Sequence, residues 1–262
     1  MKQLNILEKK ILIIGFLIFW FVFSGCDSED VPECLQAPGR ILRQEVLLES
    51  FDKIVVYGKI KVFIEQGMEQ KLIFEAGENL VGNISAEVKD GQLSLRDKNT
   101  CDFFRTTYVP VVYVTVPNLT YMRNAGNQSI EGVGELYFRQ VTLRSLNQEK
   151  NPEIYTNGNF KLNLISDVID VGGDDFSNFY LKGRTKYLFA ALVAGNGRLE
   201  AGELIADSIR IFHRGTNKMI LNPQQSLKGE IRSTGDVISV NRPPMVEVQS
   251  FYSGKLYFIE QY

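Results

Sequence analysis

Small turn residues recur along the second half of this chain at nearly even intervals, and that period limits the fold more than any other feature. They stand at Gly126-Asn127, Asn151-Pro152, Gly172-Gly173-Asp174, Gly195-Asn196-Gly197, Gly215-Thr216-Asn217, Gly235-Asp236 and Gly254-Lys255. The spacing is roughly 19 to 25 residues, the range in which internal repetition signals a stacked array. Short alternating segments follow most of the turns, at 198–201, 218–221, 237–240 and 255–258. A second turn is expected at Gly202-Glu203, Asn222-Pro223 and Arg242-Pro243-Pro244, and a second strand after each, at 208–212, 229–232 and 245–248. A coil of such short strands cannot bury its apolar side alone, so neighbouring coils must stack. The sequence therefore predicts an all-β chain, a single-stranded β-helix or β-solenoid of stacked coils, preceded by a signal segment.

Composition agrees and also excludes. Gly is abundant, aromatic and β-branched residues are plentiful, and long stretches at helical period are missing, as in a turn-rich all-β chain. The 29 Lys and Arg nearly balance the 31 Asp and Glu, so no electrostatic footprint for nucleic acid or anionic lipid is present. One His and three Cys remove most metal and nucleophile constellations. No cofactor is expected.

The N-terminus reads as an address. Lys2, Lys9 and Lys10 precede an apolar run at 11–23, followed by Ser24-Gly25-Cys26. A basic start, a short apolar stretch and small residues make a secretory signal; the run falls short of the roughly 20 residues a membrane span needs. Phe23-Ser24-Gly25-Cys26 resembles the lipobox of bacterial lipoproteins, with Phe where Leu is more usual. The resemblance implies cleavage before Cys26 and acyl chains on it, a tether to a membrane leaflet. Asp27, Ser28, Glu29 and Asp30 resemble the surface-export signal of Bacteroidetes lipoproteins; a solvated tether is the alternative. Cys34 and Cys101 are then an even remainder in an oxidising compartment, either a disulfide or two free thiols. The expected organisation is a signal peptide at 1–25, an acidic tether at 26–45 and one β-domain at 46–262.

Alternation begins ahead of the repeats. Strands are expected at 54–58, 60–64, 71–76 and 111–116, with an Asp90-Gly91 hairpin turn joining 88–89 to 92–95. Only 77–85 suits a short helical turn. The run Phe51-Asp52-Lys53-Ile54-Val55-Val56-Tyr57-Gly58, followed by Val62-Phe63-Ile64-Glu65-Gln66-Gly67, resembles the opening of the auto-transporter adhesin, head GIN domain family. Val116-Pro117-Asn118-Leu119 and the Gly-Asn-Gly and Thr-Gly-Asp turns fit its body. The resemblance covers roughly Val46 to Phe258. Where the family usually shows Ser-Gly-Ser-Gly, this chain has Ala125-Gly126-Asn127, Ala194-Gly195-Asn196-Gly197 and Ser233-Thr234-Gly235. Membership would imply an extracytoplasmic β-solenoid of Bacteroidetes type.

Chemistry is sparse. His213, the only imidazole, sits at the end of an expected strand and reads as solvated, with no nucleophile motif beside it. Asp167, Asp170, Asp174 and Asp175 surround Gly172-Gly173; turn formation explains them, while calcium binding or glycoside hydrolysis are the alternatives. Aromatic residues gather at Phe176, Phe179, Tyr180, Tyr187 and Phe189, and again at Phe251, Tyr252, Tyr257, Phe258 and Tyr262. Alternation puts Phe179 and Leu181 on one side and favours core for most of this group. Tyr180, Tyr187 and Tyr252 are the candidates for a binding surface that takes a glycan or a protein. Tyr257, Ile259 and Tyr262 are expected to cover the terminal edge. The leading reading is a non-enzymatic outer-membrane lipoprotein of the cell envelope, exposed at the surface, that binds through a rigid β-face. A polysaccharide lyase or hydrolase and a periplasmic assembly factor are the alternatives.

Overall fold

The computed structural model describes residues 38–99 and 108–259. Cys26, Asp27, Ser28, Glu29, Asp30, Cys34, Cys101 and Tyr262 lie outside them, so the lipidation, export and disulfide expectations do too. The strands are β1 (Ile41–Val46), β2 (Lys53–Gly58), β3 (Lys61–Gln66), β4 (Lys71–Gly77), β5 (Ile84–Lys89), β6 (Gln92–Asp97) and β7 (Val111–Val116). Next come β8 (Tyr121–Gly126), β9 (Ile130–Tyr137) and β10 (Gln140–Ser145). Four long strands follow: β11 (Phe160–Gly173), β12 (Asn178–Leu192), β13 (Arg198–His213) and β14 (Met219–Ile231). The short β15 (Val237–Ser239), β16 (Met245–Ser250) and β17 (Leu256–Phe258) complete the described order. One 3-10 turn, Val81–Asn83, falls inside the stretch expected to hold it. The fold is all-β.

All these strands join one hydrogen-bonded sheet. From β10 onward every described pairing is parallel, and from the β11–β12 pair on partners lie about 17 to 21 residues apart along the chain, as in Phe160 with Phe179, Phe179 with Leu199 and Leu199 with Met219. This is the interval at which the turn residues recur. The corner turns stack as well: Thr216 N–H donates to the Gly195 carbonyl at 2.8 Å and Gly254 N–H to that of Ser233 at 3.0 Å.

The front of the chain departs from a uniform stack. β1 runs antiparallel to β4, β4 antiparallel to β7, and β5 antiparallel to β6. The last pair is the hairpin expected at Asp90-Gly91, whose residues both take positive φ, 51° and 73°. β1 begins at Ile41, inside the segment read as tether. Of the expected second turns, Arg242-Pro243-Pro244 does separate two strands, β15 and β16, and the other two differ. Gly202-Glu203 and Asn222-Pro223 interrupt no strand; they sit within β13 and β14, where the register shifts. An extra residue in a ladder is absorbed as a bulge, and Pro, which donates no hydrogen bond, is tolerated at one.

Alternation decides which side each residue faces. Phe160, Leu162, Leu164, Phe179, Leu181, Leu199 and Leu221 point inward and are essentially inaccessible. Phe160 and Phe179 stack on consecutive rungs with centroids 5.1 Å apart and an interplanar angle of 7°. A few polar groups join this interior with their needs met, as where Ser145 Oγ and Ser177 Oγ lie 2.6 Å apart.

Candidate functional site

The most structured concavity lies where β9 and β13 break step on either side of the regular β11–β12 pair. Lys161, Tyr180 and Glu200 are register partners on β11, β12 and β13, with Glu131 of β9 beside Lys161. One or two residues later the register shifts between Lys161 and Asn163, between Tyr180 and Lys182, and after Glu200. Regular pairing resumes with Asn163, Lys182 and Glu203 side by side. Between the two rows a cleft of about 590 Å³ opens, floored by Leu162 and Leu181 and walled by Gly132, Gly134 and Gly202. Bulges re-aim side chains, and they recur beside binding sites for that reason.

Charge in this cleft is mostly spoken for. Glu131 Oε1 lies 3.1 Å from Lys161 Nζ and 3.2 Å from Lys61 Nζ. Burial pushes its carboxyl up, but hydrogen bonds from Ser129, Lys161 and Lys61 outweigh this and hold it below the usual value. Glu200 pairs with Arg198. Lys182 and Glu203 make no ion pair among the described residues, although they are register partners. Tyr180 keeps 40% of its surface exposed beside them.

A second, wider groove of about 990 Å³ crosses β12, β13, β14 and β16. Tyr187 and Phe189 form its first rungs; Phe189, Arg210, Lys228 and Glu247 make one continuous row across the strands. Lys228 and Glu247 close on each other at 3.2 Å.

The three tyrosines chosen as a binding surface are not brought together. Tyr180 lines the cleft and Tyr187 the groove. Tyr252 stands 65% exposed between β16 and β17 and lines neither. The expectation that the other aromatics fill the core holds for Phe179 and fails for Phe176, Phe189 and Phe251, all at least two-fifths exposed. They occupy outward positions or loops, where alternation leaves them in solvent. Tyr257 and Ile259 are each 52% exposed. His213 is a further correction. It points inward, fully buried, with Nε2 2.8 Å from the Asn217 carbonyl and Nδ1 without a partner among the described residues. Burial pushes its pKa down, against the smaller opposing pulls of Asn217 and Asp236.

The aspartates disperse into separate contacts. Asp167 pairs with Lys186 at 2.7 Å and Asp170 with Arg144 at 2.7 Å. Asp174 caps Asn147 N–H at 2.8 Å and Asp175 accepts from Thr156 Oγ1 at 3.1 Å. Among the described residues no three His, Cys, Asp or Glu side chains gather as metal ligands. No described helix is long and apolar enough to cross a membrane.

Residues 50–243 match the family described as "Putative auto-transporter adhesin, head GIN domain". The chain belongs to this family. No curated protein matches the sequence. Among solved structures, this head GIN chain is similar to a "putative adhesin" from Bacteroides fragilis NCTC 9343, with a TM-score of 0.74 and 18% identity over 84% of this chain and 97% of that one. It is also similar to a "putative lipid binding protein" from Parabacteroides distasonis ATCC 8503, with a TM-score of 0.59 and 16% identity over 85% and 98%. A "putative adhesin" from Parabacteroides merdae ATCC 43184 gives 0.58 and 16% over 85% and 97%. At such identities the likeness speaks for the fold. The head GIN opening maps onto β2 and β3, which pair with β8 and β9 and carry the front of the sheet. Lys161, Lys182, Glu200 and Glu203 escaped sequence reading. The glycines at 132, 134 and 202 were the available signal, since Gly inside a strand marks a bulge.

Proposed function

We propose that this head GIN protein is a non-catalytic, lipid-anchored protein of the cell envelope that binds a glycan or protein partner on the outward side of a β-solenoid. The observation that supports this is a continuous parallel sheet whose outward rows carry an aromatic-edged cleft and groove. Both are set on strands rather than mobile loops, and a rigid surface of this kind loses little entropy on binding. Membership of an adhesin-named family supports the same direction. In this reading Cys26 carries the lipid, Asp27 to Asp30 direct it to the surface of the outer membrane, and Cys34 and Cys101 form a disulfide.

The test is to shave intact cells with protease and to fractionate a Cys26→Ala variant. Accessible wild-type protein, and a variant released from membranes, are expected. Protection of the wild type until the outer membrane is opened removes surface adhesion; a variant that still partitions with membranes removes the anchor.

A further inference from the structure

We propose that the cleft between Tyr180, Lys182 and Glu203 is a site for a neutral oligosaccharide. This rests on the binding reading above and names its ligand class. The cleft is built rather than incidental, because β9 and β13, on either side of the regular β11–β12 ladder, both bulge out of register at one level to form it. Its volume, about 590 Å³, lies within the range of small-molecule sites.

Elimination by charge identifies the ligand. Glu131 is neutralised by Lys61 and Lys161, and Glu200 by Arg198. What remains is one ammonium donor, Lys182, and one carboxylate acceptor, Glu203, on adjacent strands. A polyanion would be repelled by Glu203 and a polycation by Lys182, both in the lining. An acyl chain would find little to cover it, because Leu162 and Leu181 turn their side chains inward and the rim is charged. A sugar ring fits each feature. Its hydroxyls both donate and accept, matching Glu203, Lys182 and the Asn163 amide. Its axial C–H face is weakly positive and suits the negative face of the Tyr180 ring. Gly134 has no atom within 4 Å of where a Cβ would stand, so the wall there is open to a second sugar unit.

The test uses the full-length chain in an amine-oxide detergent, which has no sugar headgroup to compete. The probes are neutral tetrasaccharides of glucose, mannose, galactose and N-acetylglucosamine, with tetragalacturonate as the charged comparison. Binding is read by calorimetry and saturation-transfer NMR. At least one neutral probe is expected to bind. Tyr180→Ala should weaken it by about tenfold, and the Lys182→Ala/Glu203→Gln pair should do at least as much. Tyr155→Ala, exposed and outside the cleft, should change nothing. The inference is overturned if no neutral probe binds, if tetragalacturonate is preferred, or if the cleft variants bind like wild type while still melting like it. In each of those cases protease accessibility and adhesion of intact cells report separately on the binding reading. Release of shorter sugars would instead overturn its non-catalytic part.

Discussion

At the front of the sheet the outermost strand, β1, lies antiparallel on β4 and is laced with charge. Arg43 meets Glu75 at 2.6 Å, Lys71 meets Glu45 at 2.9 Å, and Arg40 meets Glu78 at 3.2 Å. At the rear, β16 and β17 extend the parallel ladders and carry aromatic rings. Arg232 lies over Phe251 at 4.3 Å and Arg242 over Phe258 at 4.7 Å. Among the described residues both ends present unpaired backbone, which invites another strand. The front answers with ion pairs and reversed pairing, the rear with rings shielded by arginines. Their interiors differ as well. Behind β2 and β3 the core is aliphatic, whereas the rear corner holds closely stacked glycine turns and a buried histidine. Regular repetition thus gives the rear its form, and it also exposes the rear to single-residue failure.

Exchange of a corner glycine should show the largest effect. A Cβ on Gly195 would stand 2.3 Å from the Asp175 carbonyl oxygen and 2.4 Å from its Cα, and its φ is +75°. Backbone atoms cannot swing aside, so Gly195→Ala should lose at least about 3 kcal/mol. For a domain of this size that lowers the melting temperature by on the order of 10 °C. Gly82→Ala at the front meets nothing within 4 Å and should stay within about 0.5 kcal/mol. Equal losses in thermal melts would erase the contrast between the two regions.

Acidification should separate the halves next, because the only histidine is in the rear. Burial keeps the His213 pKa below its usual value, so the unfolded chain takes the proton first as pH falls. The contribution is therefore fully present above the unfolded pKa of about 6.5 and is lost below it, down to the folded pKa. Protonation would also turn the unpartnered Nδ1 into a buried donor with nothing to bond. Protection of β13 and β14 amides against hydrogen exchange, corrected for the intrinsic rate, should fall as pH drops from about 7.5 to 5.5 while β2 and β3 stay protected, and His213→Gln should flatten that dependence. The carboxylates of Glu78, Glu131, Asp167 and Glu230 are held below their usual values and titrate in a lower window. A loss of protection shared equally by both halves would show that His213 is not its source.

What could be read from the chain follows the same division. The period was legible because each corner needs a small residue where one turn rests on the next, as Gly195 rests on Asp175. The Asp90-Gly91 hairpin was legible for a local reason, its pair of positive φ angles. The fate of His213 was written in the alternation Ile209, Ile211, His213, all of one parity and all buried; attention to the strand end obscured it. The antiparallel front was not legible, since β1 finds β4 across an intervening pair of strands and nothing local specifies that partner. The cleft depends on bulges in two separate strands, β9 and β13, falling at one level. No single repeat carries that information, so Lys182 and Glu203 read as ordinary surface charge.

The smallest expected change in stability tests the treatment of the edges. The Arg43–Glu75 pair is solvent-exposed on the arginine side, and such pairs add little to folding. Arg43→Ala combined with Lys71→Ala should leave the melting temperature nearly unchanged. It should increase concentration-dependent light scattering, because charge that keeps a second β1 from pairing on the edge is gone. Ile41 and Leu42 are already 56% and 41% exposed there and would supply the sticky side chains. At the rear, Arg232→Ala uncovers Phe251 but leaves the parallel edge itself unaltered, so its scattering should rise less. If the rear variant associates more than the front one, the rings and not the ion pairs are what each end depends on, and the roles assigned to the two edges are reversed.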